Sequence, residues 1–379
     1  MVQLLLGKWN RCLRAALVAA AAGLLLPAVW AAGKSTSPAP HELWEMSLDG
    51  GRKLSWEHSF NSESEVKPNR GFWNKLVDVI AGNPEFHSLV RPYSIATDSR
   101  GRIIVTDPGA AGVHVFDFTQ RKYKFIQHLG RGKDAMRTPQ CVAVDAQDNI
   151  YVTDSDAGEV FVFEAGGKYL HALGSLKGGE GYFKRPTGIA VDLAAQRIYV
   201  TDTLRNQVFI LDMQGKMLQT IGEAGEKEGQ FNLPTELRLD GPNLMVVDAM
   251  NFRVQVFDRS GRFQYAIGQI GDGTGAMFRP KAVSVDSEGD LYVVDALWGV
   301  VQVFNREGQL LYYFGAKGTH AGEFQLPSGL FIDHNDRVFV VDSFNRRVQV
   351  FQYVALKKAA NHPSDKDLSP GTPATEGTK

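Results

Sequence analysis

The sequence predicts an all-β fold, a six-bladed β-propeller of four-stranded antiparallel blades, with the ring closed by an N-terminal strand that completes the last blade. Three observations predict it. A strand end reading "VTD" or "VVD" places Asp at 107, 154, 202, 248, 295 and 342, at spacings of 47, 48, 46, 47 and 47. A second marker, Pro, recurs at 92, 139, 186, 234, 280 and 327, at spacings of 47, 47, 48, 46 and 47. The sixth unit also stops one strand short, while an unpartnered strand-like run stands in front of the first.

The third unit serves as the template for each blade. After Pro186 comes "GIAVD" (Gly188 to Asp192), then "RIYVTD" (Arg197 to Asp202), "QVFILD" (Gln207 to Asp212) and "GKMLQTIG" (Gly215 to Gly222). These runs are short, rich in β-branched and aromatic residues, and separated by turn residues, so each reads as a strand. They are strands a to d of one blade. No repeat shows sustained helical periodicity. The sixth unit ends at "RVQVFQYV" (Arg347 to Val354) without a strand d, and "KLSWEHSF" (Lys53 to Phe60) is the run expected to supply it. Such closure removes the free edges that invite aggregation.

The flanks read differently. Lys8, Arg11 and Arg14 precede an apolar run from Ala15 to Ala31 that is too short for a membrane span and is interrupted by Pro27. Residues 1–31 are therefore expected to be a signal peptide cleaved near Ala31 or Ala32, giving an exported protein, periplasmic or secreted, with no stable membrane span. Residues 32–52 read as a linker, 53–90 as the closing strand plus a short helix, 91–354 as the propeller and 355–379 as a disordered tail. The helix is "GFWNKLVDVIAG" (Gly71 to Gly82), with Phe72, Leu76, Val79 and Ile80 at helical spacing. Its expected place is over the upper face, as a structural cap or as a gate.

The run of Pro, apolar residues and Asp, the "YVTD" or "VVD" strand end, and the string "N-x-R-V-Q-V-F" together resemble NHL repeats. "VVDAMNFRVQVF" (Val246 to Phe257) and "VVDSFNRRVQVF" (Val340 to Phe351) are closest to the pattern. Blades 1 and 2, with "DPGAAGVHVF" and "DSDAGEVFVF", are degenerate. The resemblance implies a six-bladed propeller but no single activity, because this family includes RNA-binding modules, sensor domains, interaction platforms and a peptidyl-hydroxyglycine lyase.

A residue type present in every blade meets the same environment six times, so the six Asp residues are assigned to the blade itself, bonding the turn between strands b and c. Function is sought instead in what varies on the upper face, where the b–c loops and d–a connections lie. One candidate set is an apolar binding face of Leu204, Met250, Phe252, Leu297, Trp298 and Phe344 on the b–c loops. Against that stands packing beneath the d–a connections, whose Tyr182, Phe183, Phe231, Phe278 and Phe324 need neighbours. The other set opens strand a at the channel mouth: Tyr93, Gln140, Thr187, Thr235, Glu236, Lys281 and Ser328. These read either as a ligand ring or as a solvated opening.

Several chemistries find no support. The nine histidines have no metal-ligand spacing, and Glu236 is one carboxylate where a metal site needs several oxygens. No catalytic residue, metal or cofactor is assigned. There is no nucleophile elbow or phosphate loop. A net charge of −1, which becomes more negative once the three leader cations are lost, opposes nucleic-acid binding. With Cys12 in the leader, only Cys141 would remain, so no intrachain disulfide is expected. The sequence thus points to a monomeric binding or assembly platform for an exported protein or a small ligand. A metal-dependent hydrolase or lyase, lactonase-like or peptidyl-hydroxyglycine-lyase-like, working at the channel mouth is the alternative.

Overall fold

The computed structural model describes residues 44–67, 87–130, 134–174, 181–271, 273 and 275–355. The expected signal peptide, the helix at 71–82 and the tail after residue 355 lie outside them. Six antiparallel sheets follow one another along the chain, each in the order a-b-c-d from the axis outward. Blade 1 is built from Ile95–Thr97, Ile103–Asp107, Gly112–Asp117 and Lys122–Ile126. In blade 3 the strands are Pro186–Asp192, Arg197–Asp202, Gln207–Asp212 and Met217–Ile221. Each strand a packs against strands a of its two neighbours, so the six of them line the axis. Strands b and c are apolar on both faces because each blade is sandwiched between two others. Every residue of Ile103–Asp107 and Gly112–Asp117 is buried, whereas four of the five in Met217–Ile221 are exposed.

The hydrophobic core is accordingly six layers, each shared by two adjacent blades. Val208, Ile210, Phe231, Val246 and Phe257 form the layer between blades 3 and 4. Ile103, Val105, Phe116, Val341, Val348 and Val350 form the layer between blades 1 and 6, together with Phe60 of the closing strand. Burying each large apolar side chain contributes roughly 1.5–3 kcal/mol, so neighbouring blades hold one another. Near the axis the inner strands approach too closely for side chains at every position. A β-carbon on Gly329 of blade 6 would lie 2.5 Å from the Tyr93 carbonyl oxygen of blade 1.

Blade 6 closes the ring as expected. Lys53–Phe60 pairs antiparallel with Arg347–Val354, from Lys53 opposite Val354 to Phe60 opposite Val348. Trp56 Nε1 donates to Gln349 Oε1 at 3.1 Å across this seam. The structure departs from the expected linker at residues 32–52. Glu45–Ser47 forms a further strand outside Lys53–Phe60, so blade 6 has five strands. Trp44 anchors it, with its ring edge-on to Phe351 at 5.3 Å. A three-residue strand carries too little alternation to be read from sequence.

The repeated Asp proves to be a two-sided staple. Its carboxylate accepts from the b–c loop, as expected, and also from the d–a connection that precedes its own blade. Asp202 accepts Leu204 and Arg205 N–H on one side, and Lys184 and Arg185 N–H on the other. Asp154 likewise takes Asp156 and Ala157 N–H, then Arg137 and Thr138 N–H. All six Asp residues are fully buried. In blades 4 and 6 side chains share the work: Arg253 Nε donates to Asp248 at 2.9 Å and Arg347 Nε to Asp342 at 2.8 Å. Gln255 and Gln349 add a further donor each. Blade 1 has Gly112 and His114 in those places. His114 Nε2 stands 3.5 Å from Asp107, and its Nδ1 meets the Tyr123 hydroxyl at 2.8 Å. Burial raises the Asp107 carboxyl, but bonds from His114, Val90 and Arg91 outweigh it and hold the carboxyl below its usual range.

Candidate functional site

The Asp staples bring the two variable loop sets together at one face. Backbone bonds join them directly: Thr203 N–H to Arg185 O, Met250 N–H to Asn232 O, Ala296 N–H to Arg279 O and Phe344 N–H to Gln325 O. The sequence-predicted apolar set divides here. Leu204, Met250, Trp298 and Phe344 are exposed, at 49, 43, 46 and 60%. Phe252 and Leu297 are half-buried. Phe252 adopts left-handed backbone (φ 57°), and its ring lies 6.3 Å from that of Phe278. Of the connection aromatics, Phe183, Phe231 and Phe324 are buried over the blades, while Phe278 remains exposed. The set thus divides between exposed side chains and ones half-buried beside the connections.

Sequence reasoning missed the residue that precedes each blade proline. Leu233 and Leu326 expose apolar side chains there from left-handed backbone (φ 49° and 46°). Such a conformation costs of order 1–3 kcal/mol for a non-glycine residue. At the same position blades 1, 3 and 5 carry Arg91, Arg185 and Arg279, all exposed. The available signal was the marker proline itself.

The channel-mouth set is largely occupied with joining blades. Gln140, Thr187, Thr235, Glu236 and Ser328 are buried, whereas Tyr93 and Lys281 are half-buried. Ser328 Oγ donates to the Tyr93 carbonyl at 2.8 Å, and Thr235 Oγ1 donates to the Lys281 carbonyl at 3.4 Å, while Thr187 Oγ1 shares a hydrogen with Thr203 Oγ1 of its own blade at 2.8 Å. Burial pulls Lys281 down to about 8, with the Arg279 charge acting in the same direction.

Beneath the mouth the channel holds a cavity of about 200 Å³, lined by Ala96, Val142, Ile189, Leu237, Phe331 and the charged pair Glu236 and Arg238. Arg238 reaches across it. Its Nη2 donates to the Leu330 carbonyl at 2.9 Å, and its guanidinium lies 4.8 Å from the centre of the Phe331 ring. Glu236 sits 3.9 Å from Arg238 but is so deeply buried that its carboxyl rises from 4.5 to about 8. The native state therefore holds this proton over a range where the unfolded chain has lost it. Glu236 makes the fold less stable as pH rises from 4.5 to about 8. Glu236→Gln is expected to flatten that slope and raise the melting temperature at pH 8. A wild-type slope retained in the variant would contradict this assignment. Among the described residues no three His, Cys, Asp or Glu side chains converge as metal ligands.

The ring and its site define a six-bladed β-propeller. A family model described as a 6-bladed beta-propeller matches residues 190–250 and 234–297, and an NHL-repeat model matches residues 136–163. The chain is a six-bladed propeller in which one repeat matches the NHL pattern. The NHL match falls on the second repeat, which lacks the Arg and Asn of blades 4 and 6. The apolar strands and the Asp staple thus carry the pattern without them. No curated protein matches the sequence. Solved structures share the fold. An auxiliary nutrient binding protein from Bacteroides thetaiotaomicron is 15% identical with a TM-score of 0.54, covering 69% of this chain and 69% of that one. A gluconolactonase from Xanthomonas campestris is 17% identical with a TM-score of 0.54, covering 81% and 92%. Virginiamycin B lyase from Staphylococcus aureus is 13% identical with a TM-score of 0.52, covering 80% and 100%. Among the described residues no helix is long and apolar enough to cross a membrane.

Proposed function

We propose that the chain is an exported binding or assembly platform that captures a protein partner or an apolar ligand through its upper face. The observation that carries this reading is the exposure of Leu204, Met250, Trp298 and Phe344 on four successive b–c loops. Their backbones are fixed by buried Asp staples, so little ordering cost remains when a partner docks. Leu233, Phe278 and Leu326 extend the apolar surface, and exposed Arg and Lys residues border it. Large aromatic side chains held on a rigid frame are the usual anchors of such interfaces. A shared fold with binding and catalytic propellers is compatible with this reading but does not select it.

Trp298→Ala combined with Phe344→Ala is the direct test. Both side chains are largely exposed, so the melting temperature should stay within about 2 °C of wild type. Partner capture should fall about tenfold or more, since buried aromatic anchors contribute 2 kcal/mol or more each. Capture unchanged by the double substitution would reject this face. The hydrolase or lyase reading rests on Glu236, which faces Arg238 in the channel rather than further carboxylates. Under that reading Glu236→Gln would abolish turnover of lactones and esters.

A further inference from the structure

We infer that a groove at the outer rim of blade 5 is the receptor for a guanidinium, the arginine side chain of a protein partner. The inference rests on the upper face being the binding face and adds the chemistry of what the partner presents there. Comparison of the repeats within this chain carries it. In blades 4 and 6 three side chains gather around the buried Asp: Asn251, Arg253 and Gln255 at Asp248, and Asn345, Arg347 and Gln349 at Asp342. Each arginine also spans the d–a connection. Arg253 Nη2 donates to the Lys227 and Gln230 carbonyls at 2.7 and 3.1 Å, and Arg347 Nη2 to the His320 and Glu323 carbonyls at 2.8 and 3.0 Å. The glutamine beside it is satisfied at both ends. Its Nε2 donates to the second of those carbonyls, and its Oε1 accepts from a glycine of the connection, Gly229 N–H at 2.9 Å or Gly322 N–H at 3.0 Å.

Blade 5 keeps the glutamine and loses the rest. Trp298 stands at the asparagine position and Val300 at the arginine position, while Gln302 retains its place. The acceptors that a guanidinium meets in blades 4 and 6 remain. Ala276 O takes Gln302 Nε2 at 2.9 Å, and Gly273 O takes Ala276 N–H at 3.0 Å, repeating the pattern of Gln230 with Lys227 and of Glu323 with His320. The bond from the connection glycine does not form here. Gln302 is only 5% exposed, yet its Oε1 has no donor among the described residues. Its orientation is fixed, because the flipped amide would set that oxygen against the Ala276 carbonyl. Where the arginine is lost there is a groove of about 240 Å³, lined by Gly273, Ala276, Trp298, Val300, Gln302 and Tyr313. It is smaller than the roughly 300–1,000 Å³ of a site for a drug-sized ligand and suits one side chain. Trp298 and Tyr313, 46 and 56% exposed, put aromatic surface at its opening. Two carbonyls, an open amide oxygen and aromatic faces suit a planar guanidinium better than a compact ammonium. Asp295 behind them accepts from the backbone of Phe278, Arg279 and Trp298 and meets no cation among the described residues, so its field favours one. In blades 1, 2 and 3 His114, Phe161 and Phe209 replace the glutamine, so blade 5 alone pairs the open amide oxygen with the lost arginine.

An NMR titration of the purified protein with N-acetyl-argininamide tests this, followed at the Trp298 indole N–H, whose signal is assigned by its loss in Trp298→Phe. A saturable shift is expected with a Kd on the order of 1 mM, the strength one side chain supplies. The uncharged citrulline analogue and the lysine analogue should each bind about tenfold more weakly or worse. Val300→Arg gives blade 5 its own guanidinium, as in blades 4 and 6. It should abolish the shift and raise the melting temperature by about 2 °C, since the new side chain meets acceptors already in place. Absence of a saturable shift in the wild type, or equal binding of the citrulline or lysine analogue, would overturn the inference. So would a shift that survives Val300→Arg, or a melting temperature several degrees below wild type in that variant. Partner capture that is lost in Trp298→Ala with Phe344→Ala but unchanged in Val300→Arg keeps the platform reading and loses this site. A protein that binds N-acetyl-argininamide here but captures no partner keeps the guanidinium site and loses the platform reading.

Discussion

Asp342→Ala is expected to lower the melting temperature by roughly 10 °C. Asp342 is fully buried and accepts from Gln325 N–H, Asn345 Nδ2, Arg347 Nε and Gln349 Nε2. Alanine leaves four donors facing a void. One of them is a guanidinium whose charge loses its partner at 2.8 Å. Breaking one side of a buried ion pair costs about 3–5 kcal/mol. Removing both partners is less harmful than removing one, so Arg347→Met should recover part of the loss in the double variant. Thermal unfolding of the four proteins makes this a double-mutant cycle. A drop of only a degree or two in Asp342→Ala would mean that the repeated Asp is not structural. Its persistence in six blades would then need a functional cause.

Deleting residues 44–60 has the larger consequence. Phe60 fills the layer between blades 6 and 1, and Leu54 the layer between blades 5 and 6. Without Lys53–Phe60, the strand Arg347–Val354 becomes a free edge, with Val348, Val350 and Phe351 uncovered on it. An exposed apolar edge of this kind pairs with other chains. The shortened chain should therefore aggregate on expression or elute as large species, with loss of the cooperative melting transition. Supplying the missing strand as a separate peptide spanning 44–60 should restore part of the monomer peak. A deletion variant that elutes and melts like the full chain would show that the ring is held by the six blades alone.

Much of the architecture was legible because it repeats. Six occurrences of Asp and of Pro average out local ambiguity, and a missing strand at one end with a spare strand at the other gives closure. The second half of the Asp staple was not legible, since its partners on the d–a connection lie 16–18 residues away and bond through backbone. The candidate site was legible only in part. Leu204, Met250, Trp298 and Phe344 follow from counting along the b–c loops. Phe252 and Leu297 occupy neighbouring positions but are half-buried, Phe252 with its ring 6.3 Å from that of Phe278.

The central claim is that binding occurs at the upper face. Site-specific photo-crosslinking tests it most directly, with a photoreactive phenylalanine analogue placed at 250, 298 or 344 on that face, or at 170, 218 or 311 on the exposed outer strands. All six positions are exposed, so each probe can be carried without disturbing the core. In the native extract the account predicts a discrete adduct of the same mass from the three upper-face positions and none from the outer strands. Adducts confined to the outer strands, or equal labelling from both sets, would contradict it.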